Sequence, residues 1–282
     1  MFNAQHQEEI DYLLVGHITL DTSSNGDSLG GSVSYAALTA RAFGLRPGIL
    51  TAWAEELPLG ALEGIPIVNT GAEHSTCFEN SYNENGRRQR AKYLAPPLDF
   101  HQVPENWRNS AIVHLAPVLG EVSPRMSSYF SDSTLGITPQ GWLRELKADG
   151  SVVNGDWPEA EFVLPQADAA VVSQEDVSAN PDLISRLAAN SSILAVTGGQ
   201  EGSQIFYSGE SHSLTAPETL QIDPTGAGDI FAAAFFIRLH FGDSPIVAAQ
   251  VATKLASQSV AREGLAAAPT LDEILDLMRE AL

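Results

Sequence analysis

The 282-residue chain sets 15 Lys and Arg against 35 Asp and Glu, a formal charge of −20, so a surface binding nucleic acid or anionic lipid through clustered cations is not expected. Its 44% hydrophobic and 18% charged residues supply a sheet buried on both faces, as one core with a lid rather than two domains. Cys77 is the only cysteine, which excludes an internal disulfide or cysteine metal cluster and makes a reducing cytosol the expected home.

Residues 1–11 are polar and acidic, without a basic segment followed by an apolar one, and no later apolar run reaches bilayer-spanning length; an unexported protein is expected. The run Tyr12-Leu-Leu-Val-Gly16 predicts a buried strand, and residues 32–43 an Ala-rich helix closed by Gly44. Further apolar strands are predicted at 48–53, 111–115, 169–172 and 193–197, unbroken in the manner of a parallel sheet. Between 75 and 94 the texture turns polar around Asn83-Glu-Asn-Gly86, a hairpin signal. Phe78, Asn80 and Tyr82 share one face there by the two-residue period, and the only dense basic run, Arg87, Arg88, Arg90 and Lys92, follows. The hairpin reads equally as a surface feature or as a lid.

Toward the C-terminus, residues 226–241 are apolar nearly all round and predict a buried helix ended by Gly242. Asp243-Ser-Pro245 opens another helix, reaching to about Gly264, and Thr270-Leu-Asp-Glu273 is a capping box for a last amphipathic one.

The chemistry concentrates in Asp223-Pro-Thr-Gly-Ala-Gly-Asp229, between a β-like segment and the buried helix. Glycines at a helix start let unpaired N–H groups approach an anion, and the positive end of the helix dipole adds attraction. Asp229, in the first turn, is placed to accept a proton from an attacking hydroxyl beside that anion site. The sequence has no G-x-x-x-x-G-K-[ST] loop, Rossmann glycine fingerprint, H-E-x-x-H or G-x-S-x-G motif. Read by spacing alone, Asp21 is a turn residue, Gly30-Gly31 a flexible loop, Thr197-Gly-Gly-Gln-Glu-Gly202 a Gly-rich turn and Ser173-Gln-Glu-Asp176 a solvated acidic loop.

The segment 223–231 closely resembles the C-terminal signature of the ribokinase-like (PfkB) carbohydrate kinases. The resemblance implies a three-layer α/β/α sandwich with a mostly parallel central sheet, and one kinase domain over 1–282 whose small β lid comes from about 16–30 and 75–95. It implies ATP-dependent phosphoryl transfer to a hydroxyl of a sugar or polyol, with Mg2+. Asp229 would be the base, beside anion-hole N–H groups of Gly226, Ala227 and Gly228. Asp21, Gly30, Gly31 and Tyr35 would face the acceptor, and Thr197, Gly199, Gly202 and Thr225 the nucleotide. Glu175 and Asp176 would hold Mg2+ through water, and Asp223 would lie near a monovalent-cation site, with potassium activation following. Lids in the family pair two copies into a dimer. Two positions depart from its pattern: Ser173 replaces an Asn of the Asn-x-x-Glu motif, and Tyr35 replaces an Asn that touches the sugar. Thr76-Cys-Phe-Glu-Asn80 with Arg87 and Arg88, and Gln140-Gly-Trp142-Leu-Arg144, are similar to branches that include inositol and nucleoside kinases. A nucleoside acceptor, with Tyr35, Phe78 and Tyr82 stacking a base, and a non-catalytic ligand-binding protein on a kinase scaffold stay open as alternatives.

Overall fold

The computed structural model describes residues 8–23, 26–54, 57, 59–83, 86–178, 180 and 182–280. Strands β1 (Tyr12–Val15), β2 (Thr19–Ser23) and β3 (Gly26–Gly30) lead into helix α1 (Ser32–Ala42). Then come β4 (Pro47–Thr51), β5 (Ile67–Asn69), the hairpin β6 (Thr76–Asn83) and β7 (Gly86–Tyr93), β8 (Ile112–Leu115), β9 (Thr134–Ile137), and the short pair β10 (Arg144–Leu146) and β11 (Val152–Asn154). The rest alternates α2 (Ala160–Val163), β12 (Ala169–Ser173), α3 (Gln174–Val177), α4 (Leu183–Asn190), β13 (Ile193–Thr197), β14 (Ser203–Tyr207) and β15 (Glu210–Leu214), ending on α5 (Ala227–His240), α6 (Pro245–Ser259) and α7 (Leu271–Glu280).

Nine strands form one sheet in the order β15-β14-β13-β12-β9-β8-β1-β4-β5. Every pairing from β13 to β5 is parallel, and β14 and β15 close one edge antiparallel. The apolar runs of β1, β4 and β8 are buried throughout, because layers lie on both faces. Along β1, Tyr12 and Leu14 enter the core beneath α1, α5 and α6, while Leu13 and Val15 enter the opposite core around Trp107 and Trp157. That alternation is the two-residue period of a strand.

Helix α5 is buried from Ile230 to Ile237, as its unbroken apolar sequence demands. Helix α6 starts at Pro245 with Ser244 as its cap but ends at Ser259, short of the expected Gly264. The cause is the loop before α5. The Val260 carbonyl accepts the N–H groups of Ile222 and Asp223, and the Gly264 N–H donates to the Asp223 carboxylate at 3.0 Å. Both halves of the next helical hydrogen bond are thus diverted.

The expected lid is a separate four-stranded sheet, β3-β2-β6-β7. Asn83 pairs with Gly86, while the intervening residues 84 and 85 of the Asn-Gly turn lie outside the described residues, as does the side chain of Tyr82. At the root of this sheet, His17 Nδ1 lies 2.7 Å from Thr76 Oγ1 and its Nε2 3.0 Å from the Pro96 carbonyl. The His17 backbone N–H donates to buried Glu121, whose carboxylate also accepts from Val118 and Leu119. No helix among the described residues is long and apolar enough to cross a membrane.

Candidate active site

A cavity of about 930 Å³ lies at the carboxyl ends of β8, β9, β12 and β13, between the sheet and the lid, where open α/β sheets bind ligands. Helix α5 begins at its floor. Gly226, its N-cap, has φ 81°, a left-handed conformation open to glycine at little cost. The N–H groups of Gly226, Gly228 and Asp229 have no backbone acceptor among the described residues, as expected of a helix start. Ala227 departs from the expectation: its N–H donates to the Pro224 carbonyl at 3.2 Å, closing the tight turn, which leaves the flanking N–H groups as the ones open to an anion. The N–H of Asp229 is a further such donor, one the motif reading missed.

Asp229 is half-buried. Burial pushes its pKa up to about 6; a hydrogen bond from Ser32 and the charge of Arg144 oppose the rise, while Asp176 and Asp21 add to it. A carboxylate raised this far takes a proton more readily than an exposed one, yet is still mostly ionised at neutral pH. Ser32, at the start of α1, escaped sequence reading because a serine after two glycines carries no signal of its own.

At the lid end, Thr19, Asp21, Phe78 and Gln89 line the cavity. Asp21 accepts from Thr19 Oγ1 at 3.3 Å, and Gln89 is held by a 3.1 Å hydrogen bond from its Nε2 to Asn80 Oδ1 across the hairpin. Gly31 and Tyr35 also line the cavity, but Gly30 does not. A Cβ on Gly30 would lie 2.7 Å from Asp21 Oδ2, so Gly30 serves to let Asp21 lie flat against the lid. Tyr35 is 2% exposed and packs beneath Gly226.

The far end is built from small side chains, among them Ala216, Pro217, Ala256 and Val260. Thr197, Gly199, Gly202 and Thr225 all line this side. Asp223 does not. Its two oxygens accept the N–H groups of Thr225 and Gly264, so its observed work is to hold the loop.

Ser173 and Asp176 form a capping box on α3: Ser173 Oγ donates to Asp176 Oδ2 at 2.7 Å and accepts the Asp176 N–H at 3.0 Å. The segment read as a solvated loop is therefore a helix start, with Asp176 buried and Glu175 exposed, both on the cavity wall. Among the described lining residues Arg144 is the one Lys or Arg, against the carboxylates of Asp21, Glu175, Asp176, Glu218 and Asp229. That balance does not favour a polyanion by itself. Its carboxylate oxygens suit a hard divalent cation, which commonly keeps its waters.

The model of the pfkB family carbohydrate kinases matches residues 150–271. A solved pyrophosphate-dependent myo-inositol-1 kinase, converted into a myo-inositol-3 kinase by two substitutions, superimposes with a TM-score of 0.80 at 18% identity over 95% of this chain and 99% of that one. The match to the pfkB carbohydrate kinase family thus covers residues 150–271, less than half of the chain. Arabidopsis thaliana ribokinase with ribose and ATP shares the fold at a TM-score of 0.69 and 17% identity, over 96% of this chain and 99% of its own. In sequence, an inositol 3-kinase from Zea mays is 30% identical over 172 residues, 58% of this chain and 43% of that protein. The matched segment thus spans less than half of the maize protein. A cytidine kinase from Thermococcus kodakarensis is 23% identical over 250 residues, 80% of this chain and 87% of that protein.

Proposed function

We propose that this chain acts as a single kinase domain of the pfkB family that transfers the γ-phosphoryl group of ATP to a hydroxyl of a sugar or cyclitol, with Mg2+ required. The observation that carries the reading is Asp229: a half-buried carboxylate with a raised pKa, in the first turn of a helix where the N–H groups of Gly226, Gly228 and Asp229 have no backbone acceptor among the described residues. Asp229 accepts the proton of the acceptor hydroxyl as its oxygen forms a bond to the γ-phosphorus. The bond from that phosphorus to the bridging oxygen breaks, and ADP leaves. N–H groups of Gly226, Gly228 and Asp229 and the guanidinium of Arg144 stabilise the charge on the phosphoryl oxygens during transfer. Glu175 and Asp176 would hold Mg2+ through water; that ion supplies charge neutralisation of the donor's phosphates.

The lid end favours a polyhydroxylated acceptor, because Thr19, Asp21 and Gln89 offer hydrogen-bonding groups suited to hydroxyls. The apolar side chains of Ala216, Pro217, Ala256 and Val260 on the cavity wall suit the flat face of a nucleobase and support ATP over pyrophosphate, which has no group to lie against them. A nucleoside acceptor is the second reading, favoured by the Phe78 ring on the cavity wall and the resemblance to a cytidine kinase. Potassium activation through the loop of Asp223, pairing of lids into a dimer and action in the cytosol complete the reading.

The test measures Mg2+-dependent phosphorylation of sugars, inositols and nucleosides, with ATP and pyrophosphate as separate donors, beside Asp229→Asn. One acceptor turned over by the wild type and not by the variant establishes the activity and the class together. Turnover with pyrophosphate alone overturns the donor assignment, and no turnover with any pair moves the protein to a ligand-binding role. Equal rates in potassium and a bulky organic cation overturn the activation.

A further inference from the structure

Behind the cavity wall, three polar side chains form a line through the apolar core. His114 on β8 places Nδ1 3.2 Å from the hydroxyl of Tyr12 on β1 and Nε2 3.0 Å from Thr138 Oγ1, just beyond β9. Tyr12 and His114 are 0% exposed and Thr138 6%. The His114 ring stands edge-on to Phe236, with centroids 5.0 Å apart. The line ends on the cavity, which Thr138 helps to form.

The hydrogens can be assigned by elimination. A buried hydroxyl hydrogen without an acceptor is costly, and among the described residues His114 Nδ1 is the hydrogen-bond partner available to the Tyr12 hydroxyl. Tyr12 therefore donates to Nδ1. A neutral imidazole then carries its hydrogen on the other nitrogen, so Nε2–H donates to Thr138 Oγ1. The Thr138 oxygen is used as an acceptor, and its own hydrogen meets no protein acceptor among the described residues. The opposite tautomer would have Thr138 donate back into the core, leaving the cavity only a lone pair.

We propose that Tyr12 and His114 are positioning residues that fix the Thr138 hydroxyl as a hydrogen-bond donor to an oxygen of the bound reactants. That oxygen belongs either to the acceptor alcohol or to the phosphoryl group in transfer. The assignment rests on the kinase reading for what fills the cavity, and on core geometry alone for the direction of the donor.

Two experiments test the parts separately. Nitrogen-15 NMR on the histidine-labelled chain reads the His114 tautomer without any substrate: hydrogen on Nε2 is expected, and hydrogen on Nδ1 overturns the relay. Turnover with ATP and the acceptor selected above then compares Thr138→Val, which keeps shape and loses the donor, with Thr138→Ser, which keeps it. Thr138→Val is expected to lower kcat/KM by roughly 10- to 100-fold and Thr138→Ser by less than about threefold. A rise in acceptor KM alone assigns the oxygen to the acceptor, whereas a fall in kcat assigns it to the phosphoryl group. Tyr12→Phe, which removes the bias on the tautomer, should lower turnover in the wild-type background and add nothing to Thr138→Val. Equal turnover in Thr138→Val and wild type overturns the proposal. Should no acceptor in the panel be phosphorylated, the kinase reading fails by itself while the tautomer still decides the relay.

Discussion

The ring of Tyr35 lies directly against the backbone of Gly226: a Cβ added to Gly226 would overlap the Cδ1, Cε1 and Cγ atoms of that ring. Tyr35 therefore helps shape the backbone at the start of α5. Gly226→Ala should cost stability twice, through the left-handed φ and through the overlap, in total about 2–4 kcal/mol. Denaturant unfolding should show Tyr35→Leu recovering part of that loss in the Gly226→Ala background. No recovery would mean that backbone strain alone sets the cost.

Asp229→Asn should lower kcat by roughly two to four orders of magnitude with a much smaller change in nucleotide affinity. It should also raise Tm at neutral pH. The folded-state pKa of about 6 lies above the usual carboxylate value of 3.8, so ionising Asp229 destabilises the fold as pH rises from about 4 to 6, and the penalty persists above. The variant's advantage, about 1–3 kcal/mol, should vanish below pH 4. Thermal melts of both proteins from pH 4 to 8 check the sign.

Loss of the base on the acid side should make wild-type kcat fall about tenfold per pH unit below pH 6. Arg144 holds the Asp229 pKa down by its charge. In Arg144→Gln the acid limb should therefore move to higher pH, with donor KM raised as well. A pH–rate profile unmoved by this change would remove Arg144 from the electrostatics of the base.

Glu175 and Asp176 should separate when each is neutralised. Asp176 spends one oxygen capping α3, so Asp176→Asn should lower Tm along with activity. Glu175→Gln should leave unfolding stability within about 0.5 kcal/mol of wild type and raise the Mg2+ concentration needed for half-maximal rate. Titrations of Mg2+ against rate distinguish the two.

Much of this architecture was legible because burial on both faces leaves an unmistakable sequence texture. The runs read at 12–16, 111–115 and 193–197 became the strands Tyr12–Val15, Ile112–Leu115 and Ile193–Thr197, almost to the residue, and the capping box at Thr270 and Glu273 formed. Strand β9 was missed because Thr134-Leu-Gly-Ile is too short to carry a pattern. Its Gly136 faces the Phe236 ring, a contact only the fold creates. The end of α6 was misjudged because Asp223, far off in sequence, takes the Gly264 N–H. In the site, the glycines and Asp229 were readable as one contiguous motif. Ser32, Gln89 and Thr138 were not, since each owes its position to a different strand or helix end.

The single imidazole of His17 has a mechanical consequence. It binds Thr76 where the chain enters the β6–β7 hairpin and Pro96 just after the chain leaves it, while its own backbone is anchored on Glu121 just before β2 begins. Three of the four crossings between sheet and lid, all but the return from β3 into α1, are thereby held at one residue. The lid is thus tied to the sheet like a flap clamped at its base, and a substitution at His17 would release the ties to Thr76 and Pro96 at once while leaving the backbone bond to Glu121.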